Sequence, residues 1–191
     1  MIGNNMILLL GDIHGDWSIL HTAILKAEEV GATALIQVGD FCMFRGGQTE
    51  LGATLWNNEK EFHNILEKST VPVYFIDGNH DDCDRWLYYT EVTQVFDDAP
   101  FYYVPRGTVM ELDGRTIAFM GGASSINKKW SLRDGNHWTP LEDIRQLDID
   151  NLLRNAEGKT IDMFITHIPP HSVVQEHFDN TTKLFFEVGC G

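Results

Sequence analysis

The sequence predicts an α/β fold that begins β-α-β-α-β, and three observations carry that expectation. Short apolar runs, Met6 to Leu10, Ala34 to Val38 and Val71 to Ile76, each stop at a Gly or Asp, as strands buried on both faces of a parallel sheet do. Between the runs lie apolar positions at helical spacing, Ile19, Leu20, Ala23, Ile24 and Ala27 in the first interval and Leu51, Leu55, Phe62, Ile65 and Leu66 in the second. Residues able to bind a ligand stand at the ends of the runs, where open α/β sheets take their ligands.

The first run, in MILLLGDIHGD, releases Asp12 and His14 two residues apart in a Gly-bracketed turn. An anionic oxygen and an imidazole nitrogen so spaced could turn toward one point, which suits a divalent metal. Taken alone the triplet reads better as a turn aspartate beside a surface histidine. Asp16 is placed to cap the following helix and Gly31 to stop it. The second run delivers Gly39 and Asp40, then the loop FCMFRGG; the third delivers Asp77, Gly78, Asn79, His80 and Asp81. A fourth run, Ile161 to Ile165, ends in Thr166 and His167. Right-handed crossovers would bring all four tips to one edge of the fold.

The stretch from Asp84 to Pro105 is aromatic and reads as irregular. GTVMEL and RTIAFM flank Asp113-Gly114, a strong two-residue hairpin signal and the expected start of a second sheet. The Gly-rich, polar segment GGASSINKKWSLRDGNHW reads as a loop over the same end of the sheet. Thr139, Pro140 and Glu142 read as N-cap, first turn and capping-box partner of a helix running to about Leu147, with a further short helix before the last run. No repeat, low-complexity tract or linker interrupts residues 1–191, and one domain is expected.

Of the 191 residues, 43% are apolar and 22% charged, an ordinary globular composition. Twenty-eight acidic residues against 14 basic give a net charge of −14. That field repels a polyphosphate backbone and disfavours nucleic acid as a partner, while a small phosphate ester stays accessible if bound dications reverse the field locally. Cys42, Cys83 and Cys190 are odd in number and have no CxxC spacing, which argues for a reducing compartment and against structural zinc or disulfides. Without a membrane-length apolar stretch or a signal-type N-terminus, a cytoplasmic location is expected. There is no GxSxG elbow and no P-loop.

The four blocks, GDIHG at Gly11 to Gly15, GD at Gly39 and Asp40, GNHD at Gly78 to Asp81 and TH at Thr166 and His167, resemble in order and separation those of the calcineurin-like metallophosphoesterases, and GGASSINK is similar to a block of bacterial and phage-type members. The resemblance implies a layered β-sandwich with flanking helices. It also implies two divalent metal ions, Mn2+ first, with Fe, Zn or Ni as alternatives. On it, Asp12 and His14 would bind one metal, Asp40 would bridge both, and Asn79 and His167 would bind the second. His80 would face the scissile phosphate as a transition-state stabiliser or general acid, and Asp81 would orient that imidazole or serve the turn. The implied reaction is hydrolysis of a phosphomonoester or phosphodiester by a metal-bound hydroxide, the ions standing roughly 4 Å apart and lowering the pKa of water to roughly 7.

Arg45, just past Asp40, is the first candidate to steady the substrate phosphate, ahead of Lys128, Lys129 and Arg133. The second block lacks the Asp-Arg-Gly ending of the protein serine/threonine phosphatases, so that subgroup is not expected. The Gly-His-x-His block that closes the family's site has no counterpart before Gly191. The expectation is therefore a chain truncated at the C-terminus, or a variant that has lost a metal or is completed by another ligand, with His171 and His177 among the candidates. The alternative function is a metal-binding or scaffold protein that keeps the fold without turnover.

Overall fold

A computed structural model describes residues 6–42, 59–125 and 138–169. Strand β1 (Ile7–Leu10) leads into helix α1 (Trp17–Val30), whose N-cap Asp16 accepts from the Ser18 backbone N–H and whose C-cap Gly31 takes the left-handed φ of 67° that a Cβ would resist. Strand β2 (Ala34–Gln37), helix α2 (Glu59–Glu67) and strand β3 (Val73–Phe75) complete the expected start. Of the expected positions on the second helix, Leu51 and Leu55 lie outside the described residues.

The stretch read as irregular is ordered. A short helix α3 (Cys83–Trp86) is followed by strands β4 (Thr93–Phe96) and β5 (Ala99–Tyr103). The two pair antiparallel, and β5 lies parallel to β3, giving a five-stranded sheet of order β1-β2-β3-β5-β4. Aromatic side chains hid these strands because they alternate inward: Phe101 and Tyr103 are buried and Tyr102 faces the other side, stacked on Tyr74 at 5.1 Å. β1 also differs from expectation. It is the edge strand of this sheet, and Leu9 is 49% exposed; β2, one place inward, is the strand buried on both faces.

Strands β6 (Val109–Leu112) and β7 (Arg115–Met120) form the hairpin, with Asp113 at φ 56° and Gly114 at φ 73° as a type I′ turn requires. Strand β8 (Met163–Thr166) joins β7 in parallel to make a second sheet of order β6-β7-β8. The single helix expected from Thr139 to Leu147 is instead a 3₁₀ turn (Pro140–Glu142) capped by Thr139, then a separate helix α4 (Gln146–Ala156). Asp143 has extended backbone and ends the first turn, and Glu142 is buried rather than closing a capping box.

Two apolar layers follow from the alternation along the strands. Leu20, Ile24, Ala27, Phe62 and Leu66 of α1 and α2 pack with Leu35, Val73, Phe75 and Phe101 against one face of the five-stranded sheet. The opposite face meets the second sheet through Ile36, Ile76, Val104, Ile117, Phe119 and Ile165. With α4 packed on β6 and β7, the order of layers is helix, sheet, sheet, helix. Fully burying one such aliphatic or aromatic side chain stabilises by about 1.5–3 kcal/mol, so this packing, rather than any one polar contact, holds the strand tips at one level.

Candidate metal centre

The parallel register of β1, β2 and β3 pairs Leu8 with Leu35 and Leu35 with Val73, so the three chain segments that follow end side by side. Gln37, wholly buried, ties two of them: its amide donates to the carbonyls of Gly11 and Gly39 and accepts from the Gly39 N–H at 3.0 Å. His14 and Gly15 donate backbone hydrogen bonds to Asp40 and Phe41 at 2.9 and 3.1 Å. His14, Asp40 and Cys42 hold φ of 46°, 53° and 61°, a left-handed conformation unusual for residues with a Cβ, and here it turns side chains out of the strand ends.

Asp12, Asp40 and His167 meet at this edge, each offering a ligand atom within 4.8 Å of the others. His167 Nδ1 lies 2.8 Å from the Val38 carbonyl oxygen. A carbonyl only accepts, so Nδ1 donates to it, which leaves Nε2 turned toward the cluster, 3.5 Å from Asp40 Oδ1. His14 Nε2 stands 3.7 Å from Asp40 Oδ2 and 4.0 Å from Asp12 Oδ2, and its Nδ1 lies 3.6 Å from the Cys42 sulfur. Asp40 and His167 are nearly buried, whereas Asp12 and His14 are about half exposed, so the cluster opens to solvent on the β1 side.

The donor set fits a divalent cation. Two carboxylates this close repel unless a positive charge stands between them, and mixed carboxylate oxygen and imidazole nitrogen suit Mn, Fe or Zn. The backbone leaves room for nothing else: a Cβ on Gly39 would collide with the His167 ring, and one on Gly78 with Asp40 Oδ1 and, at 2.5 Å, with the Asp40 nitrogen. Glycine is required at Gly39 also by its φ of 104°.

The third block contributes in three ways. His80 donates its backbone N–H to Asp40 Oδ1 at 2.8 Å, and its exposed ring stands edge-on to His14 with centroids 5.3 Å apart. Asn79 Nδ2 lies 3.1 Å from the hydroxyl of Ser125. Asp81 lies at the centre of the turn that joins these blocks. Its buried carboxylate accepts from the backbone N–H groups of Cys42 at 2.6 Å, Gly78 at 2.7 Å and Phe41 at 3.3 Å. It thus clamps the second block to the third. Burial pushes its carboxyl up to about 7, the Gly78 bond works the other way, and the Asp40 charge adds to the rise. Arg45, Lys128, Lys129, Arg133, His171 and His177 lie outside the described residues.

Two buried polar groups take roles that the sequence did not signal. Asp77 turns away from the cluster and is wholly buried with Arg106, whose Nε and Nη2 stand 2.9 and 2.5 Å from its Oδ2, while the Tyr103 hydroxyl donates to Oδ1 at 3.0 Å. Arg106 also donates to the carbonyls of Asp143 and Glu142. Burial works against the guanidinium's charge, and the Asp77 carboxylate more than offsets it, so its pKa is raised further. The second group is Ser125 with buried Glu142, whose carboxylate accepts from the Ser125 hydroxyl and holds the loop after β7. Nothing in the spacing of Arg106 signals a buried cation; Ser125 did lie in the Gly-rich block already set over this end of the sheet.

Two facing sheets gather carboxylates and imidazoles at the carboxyl ends of their parallel strands, a donor set able to hold a divalent cation. A family model described as calcineurin-like phosphoesterase matches residues 6–188, and the chain belongs to that family. Its members are metal-dependent hydrolases of phosphoester bonds. No individual curated protein matches the chain.

Proposed function

We propose that this protein hydrolyses a small phosphomonoester or phosphodiester with two divalent ions, Mn2+ preferred. The observation that supports the reading is the convergence of Asp12, Asp40 and His167 within 4.8 Å at the strand tips, in a chain of this family. Asp12 and His14 would hold one ion, Asn79 and His167 the other, and Asp40 both. Bound there, the ions would supply Lewis acidity, neutralise phosphate charge and lower the pKa of coordinated water toward neutrality.

The chain's own residues do the rest. His167, its tautomer set by the Val38 carbonyl, offers Nε2 as a ligand. His80 stands exposed beside the cluster, where an imidazole that titrates near neutral pH can give a proton to the leaving oxygen. Asp81 keeps the loop that carries Asn79 and His80 at a fixed distance from Asp40. The substrate expected is a compact anionic ester in the cytoplasm, since −14 of net charge opposes nucleic acid. Among the described residues no helix is long and apolar enough to cross a membrane.

The test is Mn2+ stoichiometry of the purified chain, with hydrolysis of a chromogenic phosphomonoester and a phosphodiester followed on the same sample. Two ions and turnover that a chelator abolishes are expected. Binding without turnover of either ester would favour a metal-binding protein that keeps only the fold. Unchanged hydrolysis in Asp40→Asn or His80→Ala would remove the roles given to those residues.

A further inference from the structure

Ser125 sits between a buried carboxylate and the block that carries Asn79. Its hydroxyl donates to Glu142 Oε2, and Glu142 is 2% exposed, so that acceptor is sheltered from competing water. The position of Glu142 is itself fixed: its backbone carbonyl accepts from the Ala123 N–H at 2.9 Å and from Arg106 Nη2 at 3.4 Å, and Thr139 caps the 3₁₀ turn it ends. A hydroxyl has one proton and two lone pairs. With the proton committed to Glu142, the Ser125 oxygen can only accept, and Asn79 Nδ2 lies 3.1 Å from it.

That arrangement decides which way the Asn79 amide faces. An amide carries its donor and its acceptor on opposite sides of Cγ, and only the oxygen can bind a cation. Turned over, the same side chain would aim two N–H groups at the ion and one oxygen at another oxygen. We propose that Ser125, its proton held by Glu142, is a positioning residue that locks the Asn79 amide with Oδ1 free for a divalent cation. The inference rests on the reading of Asn79 as a ligand given above. Partners of this kind, one shell behind a ligand, are worth about 10–100-fold in metal affinity.

The experiment is calorimetric titration of the full chain with Mn2+ alone, applied to the wild type, Ser125→Ala, Ser125→Thr, Asn79→Ala and the Asn79→Ala/Ser125→Ala double variant. Ser125→Ala should weaken one Mn2+ site about tenfold, Ser125→Thr, which keeps the oxygen, should restore most of that, and the double variant should bind no more weakly than Asn79→Ala. Such non-additivity is the signature of one residue acting through another. A merely structural role would add its loss to that of Asn79→Ala, and this result, or unchanged affinity in Ser125→Ala, would overturn the inference while leaving Asn79 a ligand. Unchanged Mn2+ binding in Asn79→Ala would instead overturn the ligand assignment and the inference with it. Should Ser125→Ala fail to fold, Ser125→Cys, which keeps the size of the side chain but offers only a weak sulfur acceptor, carries the same comparison.

Discussion

Removing the guanidinium of Arg106 should cost more stability than any single surface change in this protein. In Arg106→Met a flexible apolar chain of similar length takes its place, and Asp77, wholly buried beneath it, keeps its charge and the Tyr103 hydroxyl but loses bonds of 2.9 and 2.5 Å to the guanidinium. The carbonyls of Asp143 and Glu142 lose a donor as well. Breaking a buried pair by taking one partner costs about 3–5 kcal/mol, because the other charge is left uncompensated. For a chain of this size, 1 kcal/mol moves the melting temperature by about 2–4 °C, so the expected fall is roughly 6–20 °C. Urea unfolding with a shared slope, run beside a thermal melt, gives the number. Arg106→Lys separates charge from geometry: the three donors of an ammonium radiate from one nitrogen and cannot span the acceptors that Nε, Nη1 and Nη2 reach separately, so it should fall between the other two proteins. A loss below about 1 kcal/mol in Arg106→Met, within the range of a single ordinary hydrogen bond, or a lysine variant equal to wild type, would refute the reasoning.

Three further outcomes follow from other parts of the structure. Gly78→Ala sets a Cβ against the Asp40 backbone and the His167 ring; overpacking of this kind costs about 1–3 kcal/mol, and Mn2+ affinity by calorimetry should fall at least about tenfold. Asp148 has burial working to raise its pKa, but hydrogen bonds and charge from Arg145, with Arg106 behind, outweigh it and the value is lowered. Its stabilising effect is therefore complete above the ordinary value of 3.8 and is lost as pH falls from there through the lower folded-state value; denaturant unfolding followed by circular dichroism should find the wild type more stable than Asp148→Asn at neutral pH, the difference shrinking as pH falls through that window and the variant keeping the flatter profile. Mn2+ at about 100 times its dissociation constant should stabilise the folded chain by about 2.7 kcal/mol per site, a rise in melting temperature that chelator reverses and Asp40→Asn removes.

The parts of the fold that could be read from the sequence are those set by local chemistry. Asp113-Gly114 names its turn because both residues need positive φ, and Asp16 and Gly31 bound α1 because a helix end needs an acceptor at one terminus and a left-handed residue at the other. Strand β5 was hidden because Phe101, Tyr102 and Tyr103 put aromatic rings on both of its sides, and only pairing with β3 on one edge and β4 on the other gives it a face. Thr139, Pro140 and Glu142 do start a helix-like turn, yet Glu142 is drawn inward to Ser125 and the turn closes after three residues. At the site, Asp12, Asp40 and His167, which the structure gathers, were legible because each stands just past the end of an apolar run. The inward turn of Asp77 and its partner Arg106 were not, since a buried ion pair leaves no periodic trace.

The bond from His167 to the Val38 carbonyl joins positions 129 residues apart. Asp12 and Asp40 belong to a single crossover and can come together as soon as β1, α1 and β2 condense, whereas His167 arrives only when the last strand of the second sheet has docked. Contacts of such separation form late, because the intervening chain must be closed before they return any stability. A partly folded chain could therefore present two carboxylates and the His14 imidazole but never the complete cluster. Tight metal uptake thus doubles as a report on assembly order: during refolding it should lag the first helical and sheet signals and coincide with the joining of the two halves.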